Sequence, residues 1–220
     1  MSQIVQTFFD QEFSKISSDV VIMGNLVNQA IDNALIALVE QKGKLAQGVI
    51  DGDKEINGLR FRIEEACVEL LATQQPAAGD LRAVIASMHI AVELERMGDY
   101  AAGIAKTVIL MKEEPLLKIL KKIPQMGELS RSMLNDCLQA YTNRNAEKAR
   151  QVVALDTEMD QLYHSVFERL VELMAEKPDI VFRATYLMWC AHNLERIADR
   201  VINIAERIIF MVTGDLSEFE

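Results

Sequence analysis

Two acidic pairs with identical spacing are the side chains in this sequence best suited to binding a metal ion. The segments Glu95-Arg-Met-Gly-Asp99 and Glu195-Arg-Ile-Ala-Asp199 share one pattern at an offset of 100 positions. Further upstream, Asp53-Lys-Glu-Ile-Asn57 recurs as Asp156-Thr-Glu-Met-Asp160 at an offset of 103 positions. On a helix, residues four positions apart lie on one face about one turn apart, so each segment would present its two polar ends together.

The chemistry of these side chains favours a hard cation. If the segments of each half lie on neighbouring helices, the first half brings together Asp53, Asn57, Glu95 and Asp99, and the second brings together Asp156, Asp160, Glu195 and Asp199. Carboxylates held close together repel one another unless a cation lies between them. Oxygen ligands suit Mg²⁺, Ca²⁺, Mn²⁺ and iron, and Zn²⁺ also binds carboxylates. The sequence therefore predicts divalent or trivalent metal ions in both halves.

Two other interpretations of the acidic motifs stay open. Arg96 and Arg196 could pair with the neighbouring acids, which would make the motifs surface salt bridges on solvated helices. The recurrence of both motifs at matched offsets favours metal binding over this interpretation. The chain could also be a carboxylate-bridged metal enzyme or a metal-storage bundle of ferritin-like type, but such bundles add a Glu-x-x-His motif that this sequence lacks. Nucleotide-binding loops and nucleophile elbows are missing too, so we expect a protein that is not an enzyme.

Apolar residues at helical spacing run through most of the chain, and no segment alternates as a strand would. The internal repeat indicates two units, because repeated supersecondary segments determine an architecture. We therefore predict an all-α fold of two tandem three-helix bundles, with six long antiparallel helices related by internal duplication. The first bundle would span 1–113 and the second 116–214, with Pro115 between them and a tail at 215–220. The helices are predicted near 4–42, 52–73, 78–112, 116–144, 146–176 and 179–213.

Charge and composition exclude several classes of protein. The 220 residues carry a formal net charge of −10, which argues against sequence-independent nucleic-acid binding because that relies on basic residues. The N-terminus shows no basic segment followed by an apolar core, and the longest apolar stretches are shorter than a membrane span. Cys67, Cys137 and Cys190 lie in apolar helical pattern, which predicts buried reduced thiols. We therefore expect a soluble cytoplasmic protein.

Four motifs of the chain resemble the PhoU family, the cytoplasmic regulators associated with high-affinity bacterial phosphate uptake. They are Val49-Ile-Asp-Gly-Asp-Lys-Glu-Ile-Asn57, Gln75-Pro-Ala-Ala-Gly-Asp-Leu-Arg82, Leu94-Glu-Arg-Met-Gly-Asp99, and Leu194-Glu-Arg-Ile-Ala-Asp199 followed by Asn203-Ile-Ala-Glu206. The resemblance covers nearly the whole chain in the right order. It implies two three-helix bundles that carry multinuclear clusters of iron, zinc, manganese or magnesium on their acidic faces. It also adds Asn203 as a candidate ligand.

The resemblance further implies a function. Members of the family repress the phosphate-starvation response when phosphate is plentiful, through contact with the ATPase subunit of the phosphate ABC transporter and with a membrane sensor histidine kinase. For this chain we accordingly expect a negative regulator that acts indirectly on transcription, forms a homodimer, and neither binds nucleic acid nor inserts into the membrane. Two departures concern the sites, since Gly103 stands where the family often has Asn and Ala198 where Gly is usual. The first departure predicts a weaker first site than second site.

Overall fold

Helices make up most of the residues that the computed structural model describes, which are 3–111, 117 and 122–215. No strand occurs in these ranges, so the predicted all-α class is confirmed. A short 3₁₀ turn, Pro178–Ile180, precedes the last helix. The helices are α1 (Gln3–Glu40), α2 (Gly43–Gln74), α3 (Ala78–Met111), α4 (Lys122–Thr142), α5 (Ala146–Val153), α6 (Asp156–Glu176) and α7 (Val181–Thr213).

Two three-helix bundles lie in tandem, as predicted. The first consists of α1, α2 and α3, and in the second α5 and α6 together take the place of α2 between α4 and α7. Each helix buries one apolar stripe, as in α1, where Val20, Met23, Val27 and Ile31 are fully buried at three- and four-residue steps. The buried side chains of both bundles form one continuous core. The bundles are joined where α3 packs along α7.

The end of α1 and the start of α2 differ from the prediction. The first helix is predicted to end near 42 and the second to start near 52, and both positions are wrong. α1 ends at Glu40 because Gln41 adopts the left-handed conformation, with a φ of 52°. The N–H of Lys42 then donates to the carbonyl of Ala37 at 3.0 Å, which closes the helix as a terminal glycine would. Gly43 is instead the first residue of α2.

The predicted helix 146–176 is divided in two. α5 and α6 are separated by a turn at Ala154 and Leu155. The N–H of Leu155 donates to the carbonyl of Val152 at 3.0 Å, a tighter turn than an α-helix makes. The first bundle has no such break, since α2 runs through the equivalent positions. Asp156 therefore lies in the first turn of a helix, where the helix dipole favours negative charge.

The other helix ends follow the prediction where they are described. Asp80 lies in the first turn of α3, and Gly214 ends α7 with a φ of 78°. The three cysteines are buried and free. The predicted helix start at 116, the boundary at Pro115 and residues 216–220 of the predicted tail lie outside the described residues.

α1 and α4 cross through reciprocal contacts at glycine. Gly24 of α1 lies against Leu138 of α4, and Gly127 of α4 lies against Leu35 of α1. The two contacts are the same contact made twice, because Gly127 and Leu138 follow Gly24 and Leu35 by 103 positions. A Cβ atom on either glycine would overlap the facing leucine side chain, so the close approach of the two helices requires glycine.

Polar contacts between α1 and α4 are reciprocal in the same way. The amide of Asn28 donates to the side-chain oxygen of Asn135 at 2.8 Å, and Asp32 pairs with Arg131. Asn135 is the repeat equivalent of Asp32, and Arg131 is that of Asn28. The two bundles are therefore related by a local two-fold axis that passes between α1 and α4.

Among the described helices, α1 is long and apolar enough to cross a membrane when judged by length and composition alone. Half of its apolar window is buried within the fold. Its apolar stripe is the one that packs into the core of the first bundle, an arrangement typical of a core helix. The feature is accordingly weak evidence for a membrane span.

Candidate metal sites

The first acidic site lies where α2 packs beside α3. Asp53 and Asn57 come from α2, and the amide of Asn57 donates to Asp53 Oδ2 at 3.0 Å. Glu95 and Asp99 come from α3. Burial raises the pKa of the Asp53 carboxyl above its ordinary value, and the nearby Asp99 carboxylate raises it further. Burial also raises the pKa of Glu95, and Asp99 and Asp53 add to the effect. The structure therefore brings the three carboxylates of this site together.

Two buried oxygen atoms of the first site lack hydrogen-bond partners. They are Asp53 Oδ1 and Asn57 Oδ1, both inaccessible to solvent. Leaving a buried acceptor without a partner is costly, so an ion or a donor at this point would stabilise the site. Gly98 keeps the space open, because a Cβ atom there would lie only 3.1 Å from Asp53 Oδ1. These features fit a hard cation held between α2 and α3.

The second acidic site lies where α6 packs beside α7. Burial raises the pKa of Asp156 on α6, and the carboxylates of Asp160 and Asp199 raise it further. Burial raises the pKa of Glu195 on α7 as well, with Asp199 adding to the effect while Arg196 opposes it. The four predicted acids of the second half are thus neighbours across the α6–α7 contact.

The arginines of the two motifs are placed differently. Arg196 contacts both acids of its own motif, with Nη1 at 3.0 Å from Asp199 Oδ2 and Nε at 3.1 Å from Glu195 Oε2. Arg96 turns away from its motif and contacts Glu93 at 3.0 Å. The salt-bridge interpretation of the motifs therefore describes the second half but not the first.

Another arginine approaches the first site from α2. Arg60 comes within 4.0 Å of Glu95, although its closer contact, at 3.0 Å, is with Glu64 on its own helix. In the second half the equivalent position is Tyr163, which carries no positive charge. The first site thus has a distant arginine at its edge, and the second has an arginine inside it.

Asn203, one turn after Asp199 on α7, contacts the first bundle. Its amide nitrogen donates to Glu93 Oε2 of α3 at 3.1 Å, beside Arg200, which contacts the same oxygen at 3.2 Å. At the reciprocal point of the α3–α7 contact, Gly103 faces Asn193, whose amide nitrogen would lie 3.0 Å from an added Cβ. Asn203 therefore joins the two bundles in this structure.

The side chains of both sites are of the chemical type that binds a hard cation, but they do not surround a single position. In the first site Asp53, Glu95 and Asp99 would hold the ion, and in the second Asp156, Asp160, Glu195 and Asp199 would do so. Across residues 3–111 and 122–215, no three carboxylate, imidazole or thiolate groups are arranged as a complete ligand set. A bound ion would have to draw these side chains inward.

Sequence reasoning missed Glu93, which pairs with the arginine of the first acidic motif and with two residues of α7. The side chain of Glu93 is only 13% exposed and contacts Arg96, Arg200 and Asn203. Aligning the two repeats would have shown the signal, because the position equivalent to Glu93 is Asn193. An acid present in only one of two repeats marks a place where the halves differ in charge.

Comparisons with known proteins agree with the duplicated architecture. The family model described as "PhoU domain" matches the chain twice, over residues 20–108 and 123–208. A protein of Streptococcus pneumoniae serotype 4, named "Phosphate-specific transport system accessory protein PhoU homolog", is 38% identical over 208 residues, which cover 94% of this chain and 96% of that protein. A protein of the same name from Caulobacter vibrioides is 35% identical over 94% of this chain and 90% of its own length.

Two crystal structures share the fold. The phosphate transport system regulatory protein PhoU from Streptococcus pneumoniae superposes with a TM-score of 0.90 at 36% identity, covering 96% of this chain and 100% of that one. PhoU from Pseudomonas aeruginosa also gives a TM-score of 0.90, at 34% identity over 94% of this chain and 100% of that one. Since both repeats, the full length and the fold all match, the chain belongs to the PhoU family.

Proposed function

We propose that this protein is a cytoplasmic, metal-binding regulator of phosphate uptake. It represses the phosphate-starvation response when phosphate is plentiful, by contacting the ATPase subunit of the phosphate ABC transporter and a membrane sensor histidine kinase. Family membership supports the role in phosphate transport, since relatives are named accessory or regulatory proteins of that system. Metal binding and the contacts with the transporter ATPase and the sensor kinase are proposed in addition to that role.

The placement of the duplicated acidic motifs carries the metal-binding part of the proposal. In each bundle the motifs face each other across two adjacent helices, and in each bundle burial and mutual repulsion raise carboxyl pKa values. Such a cluster is costly without a counter-ion and gains most from a bound cation. Iron, zinc, manganese and magnesium all accept oxygen ligands of this kind.

An adaptor role, as a homodimer and without catalysis, suits the surface of the second bundle. Two large aromatic side chains of α7, Phe182 and Trp189, are 80% and 51% exposed. The two residues are seven positions apart and so lie on one face of the helix, which makes that face our candidate for the surface that contacts another protein. The names of the relatives describe accessory and regulatory proteins, which supports the same role.

Deletion of the gene tests the regulatory role. In phosphate-rich medium we expect the deletion strain to express its phosphate-uptake genes, because the repressing contacts are lost. Transcript levels of the transporter genes in rich and starved medium measure this, and a plasmid copy of the intact gene should restore repression.

Co-purification tests the two contacts. Cross-linked complexes isolated from cells grown with ample phosphate should contain the transporter ATPase and the sensor kinase, identified by mass spectrometry. An unrelated helical protein of similar charge, expressed at the same level, is the control. A deletion strain that keeps normal repression, together with the absence of both partners from the complexes, would refute the proposed function.

A further inference from the structure

One position in each repeat determines where the motif arginine lies. In the first bundle Glu93 stands three positions before Arg96, on the same helical face, and pairs with it at 3.0 Å. The equivalent position in the second bundle is Asn193, which carries no charge. Arg196 therefore has no acid on that side, and it contacts the two acids of its own motif instead.

Glu93 is fixed by more than its pair with Arg96. Its Oε2 atom accepts hydrogen bonds from Arg200 at 3.2 Å and from Asn203 at 3.1 Å, both on α7. A carboxylate that is largely buried and bound by three charged or polar donors is well ordered. Arg96 is consequently retained at Glu93, and its charge acts on Glu95 of the first motif only from a distance.

We propose that Arg196 is a built-in counter-cation of the second site, and that a metal ion binds there only by displacing it. The guanidinium group and a divalent cation compete for the same carboxylate oxygens of Glu195 and Asp199. The first site therefore binds the ion more tightly than the second. This inference rests on the proposed metal binding and adds a rank order to it, opposite to the order that Gly103 predicts from sequence.

Position 193 faces a residue without a side chain, so an acid introduced there meets no opposing side chain from position 103. Asn193 faces Gly103 across the α3–α7 contact, with its amide nitrogen close to that glycine. Asn193→Glu would place a carboxylate three positions before Arg196, as Glu93 is placed before Arg96. The new carboxylate would draw Arg196 away from its motif and open the second site.

Mn²⁺ binding to the full-length, metal-free protein tests the proposal, by calorimetry and by the electron paramagnetic resonance signal of free Mn²⁺. Glu95→Gln with Asp99→Asn disables the first site, so that the remaining binding reports on the second. Glu195→Gln with Asp199→Asn does the reverse. We expect the protein that keeps the first site to bind Mn²⁺ more tightly than the protein that keeps the second.

The decisive variants are made in the protein that keeps the second site. Asn193→Glu and Arg196→Gln should each tighten Mn²⁺ binding about fivefold, the factor that corresponds to the roughly 1 kcal/mol of a partly exposed ion pair. Combined, they should bind no more tightly than Arg196→Gln alone, because position 193 acts through Arg196. Asn193→Gln should change nothing. Arg96→Gln in the protein that keeps the first site should tighten Mn²⁺ binding less than Arg196→Gln tightens it at the second, because Arg96 pairs with Glu93 and acts on Glu95 only from a distance.

Three results would overturn the proposal. Equal tightening by Asn193→Glu with and without Arg196 would mean that the added charge alone attracts the ion. A second site that binds Mn²⁺ at least as tightly as the first would contradict the rank order. The absence of Mn²⁺ binding from every variant would refute the proposed metal binding itself, and this inference with it.

Discussion

Single carboxyl groups in the acidic sites make the stability of the metal-free protein depend on pH. Burial raises the pKa of each of four carboxyls, those of Asp53, Glu95, Asp156 and Glu195. A carboxyl with a higher pKa in the folded than in the unfolded state binds its proton more tightly when folded, so protonation stabilises the fold. That stabilisation is complete below the ordinary values of 3.8 for aspartate and 4.5 for glutamate, and it is lost as pH rises through the raised values.

Glu195→Gln should therefore stabilise the metal-free protein at pH 7. The substitution removes a charge that burial and Asp199 disfavour. We expect a higher melting temperature at pH 7 and a gain that shrinks as pH falls toward 4.5, measured by scanning calorimetry in the presence of a chelator.

Glu55→Gln is the matched control, because Glu55 is an exposed glutamate on α2. It should leave the melting temperature nearly unchanged across the same pH range. A lower melting temperature for Glu195→Gln at pH 7 would show that its pairing with Arg196 outweighs its burial.

At the scale of helices, the distance between α1 and α4 depends on glycine. Leu35 and Leu138, which occupy the spaces beside the two glycines, are each only 6% exposed. Side chains enclosed in this way have little freedom to move aside for an added methyl group. Substitution at the glycines therefore tests how closely the two helices must pack.

Gly127→Ala should lower the free energy of unfolding by about 1–3 kcal/mol, the usual cost of overpacking a core. Its Cβ would overlap Leu35. Gly58→Ala, on α2, is the control, since nothing lies within 4 Å of the added atom. It should raise stability by about 0.5–1 kcal/mol, because alanine favours helix more than glycine does. Urea denaturation measures both, and equal effects would show that α1 and α4 can separate without cost.

Helices were predictable from apolar spacing, but two of their ends were not. Val152, Ala154 and Leu155 are ordinary helix formers, so nothing local in the sequence indicates the break between α5 and α6. The equivalent stretch of α2 contains Gly52 yet stays helical, because packing against α1 and α3 overrides the weak propensity of one glycine. The end of α1 at Gln41 is similarly hidden, since glutamine rarely adopts a positive φ.

The acidic sites were predictable to the level of helix faces and no further. Four-residue spacing placed the carboxylates correctly because it depends only on helical geometry. The different directions of Arg96 and Arg196 were missed, although the repeats differ in sequence at the position three residues earlier, Glu93 against Asn193. The contacts that hold Glu93 itself were not predictable, because they join it to residues more than 100 positions away, Arg200 and Asn203, and only the folded chain brings them together.

At the scale of the whole molecule, the two bundles share one core. The α3–α7 contact and the α1–α4 crossing connect the buried apolar side chains of the two bundles into one cluster. A fold with a continuous core is expected to unfold in one cooperative step. A change that stabilises one bundle should then raise the free energy of unfolding of both bundles together.

Unfolding of the metal-free protein should accordingly give coincident curves from two probes. Trp189 is the single tryptophan of the chain, so its fluorescence reports on the second bundle, whereas far-ultraviolet circular dichroism reports on all helices. Metal at a hundredfold excess over Kd should shift both curves together, by about 2.7 kcal/mol for each site filled. In the protein with only the first site, the fluorescence curve should still move. A fluorescence transition that separates from the dichroism curve would show independent bundles.

The exchanged contacts between α1 and α4 are those of a symmetric dimer of single repeats, joined here into one chain. In such a dimer both copies would carry every substitution. A contact between Glu and Asn at one end of the α3–α7 interface would therefore be repeated at the other end. Fusion removes that obligation. Glu93 can face Asn203 while Asn193 faces Gly103, and the copies are free to take up different tasks. Gene fusion thus allows two nearly identical acidic sites to differ in their built-in neutralisation, which under the proposed metal binding would let them respond at different metal concentrations.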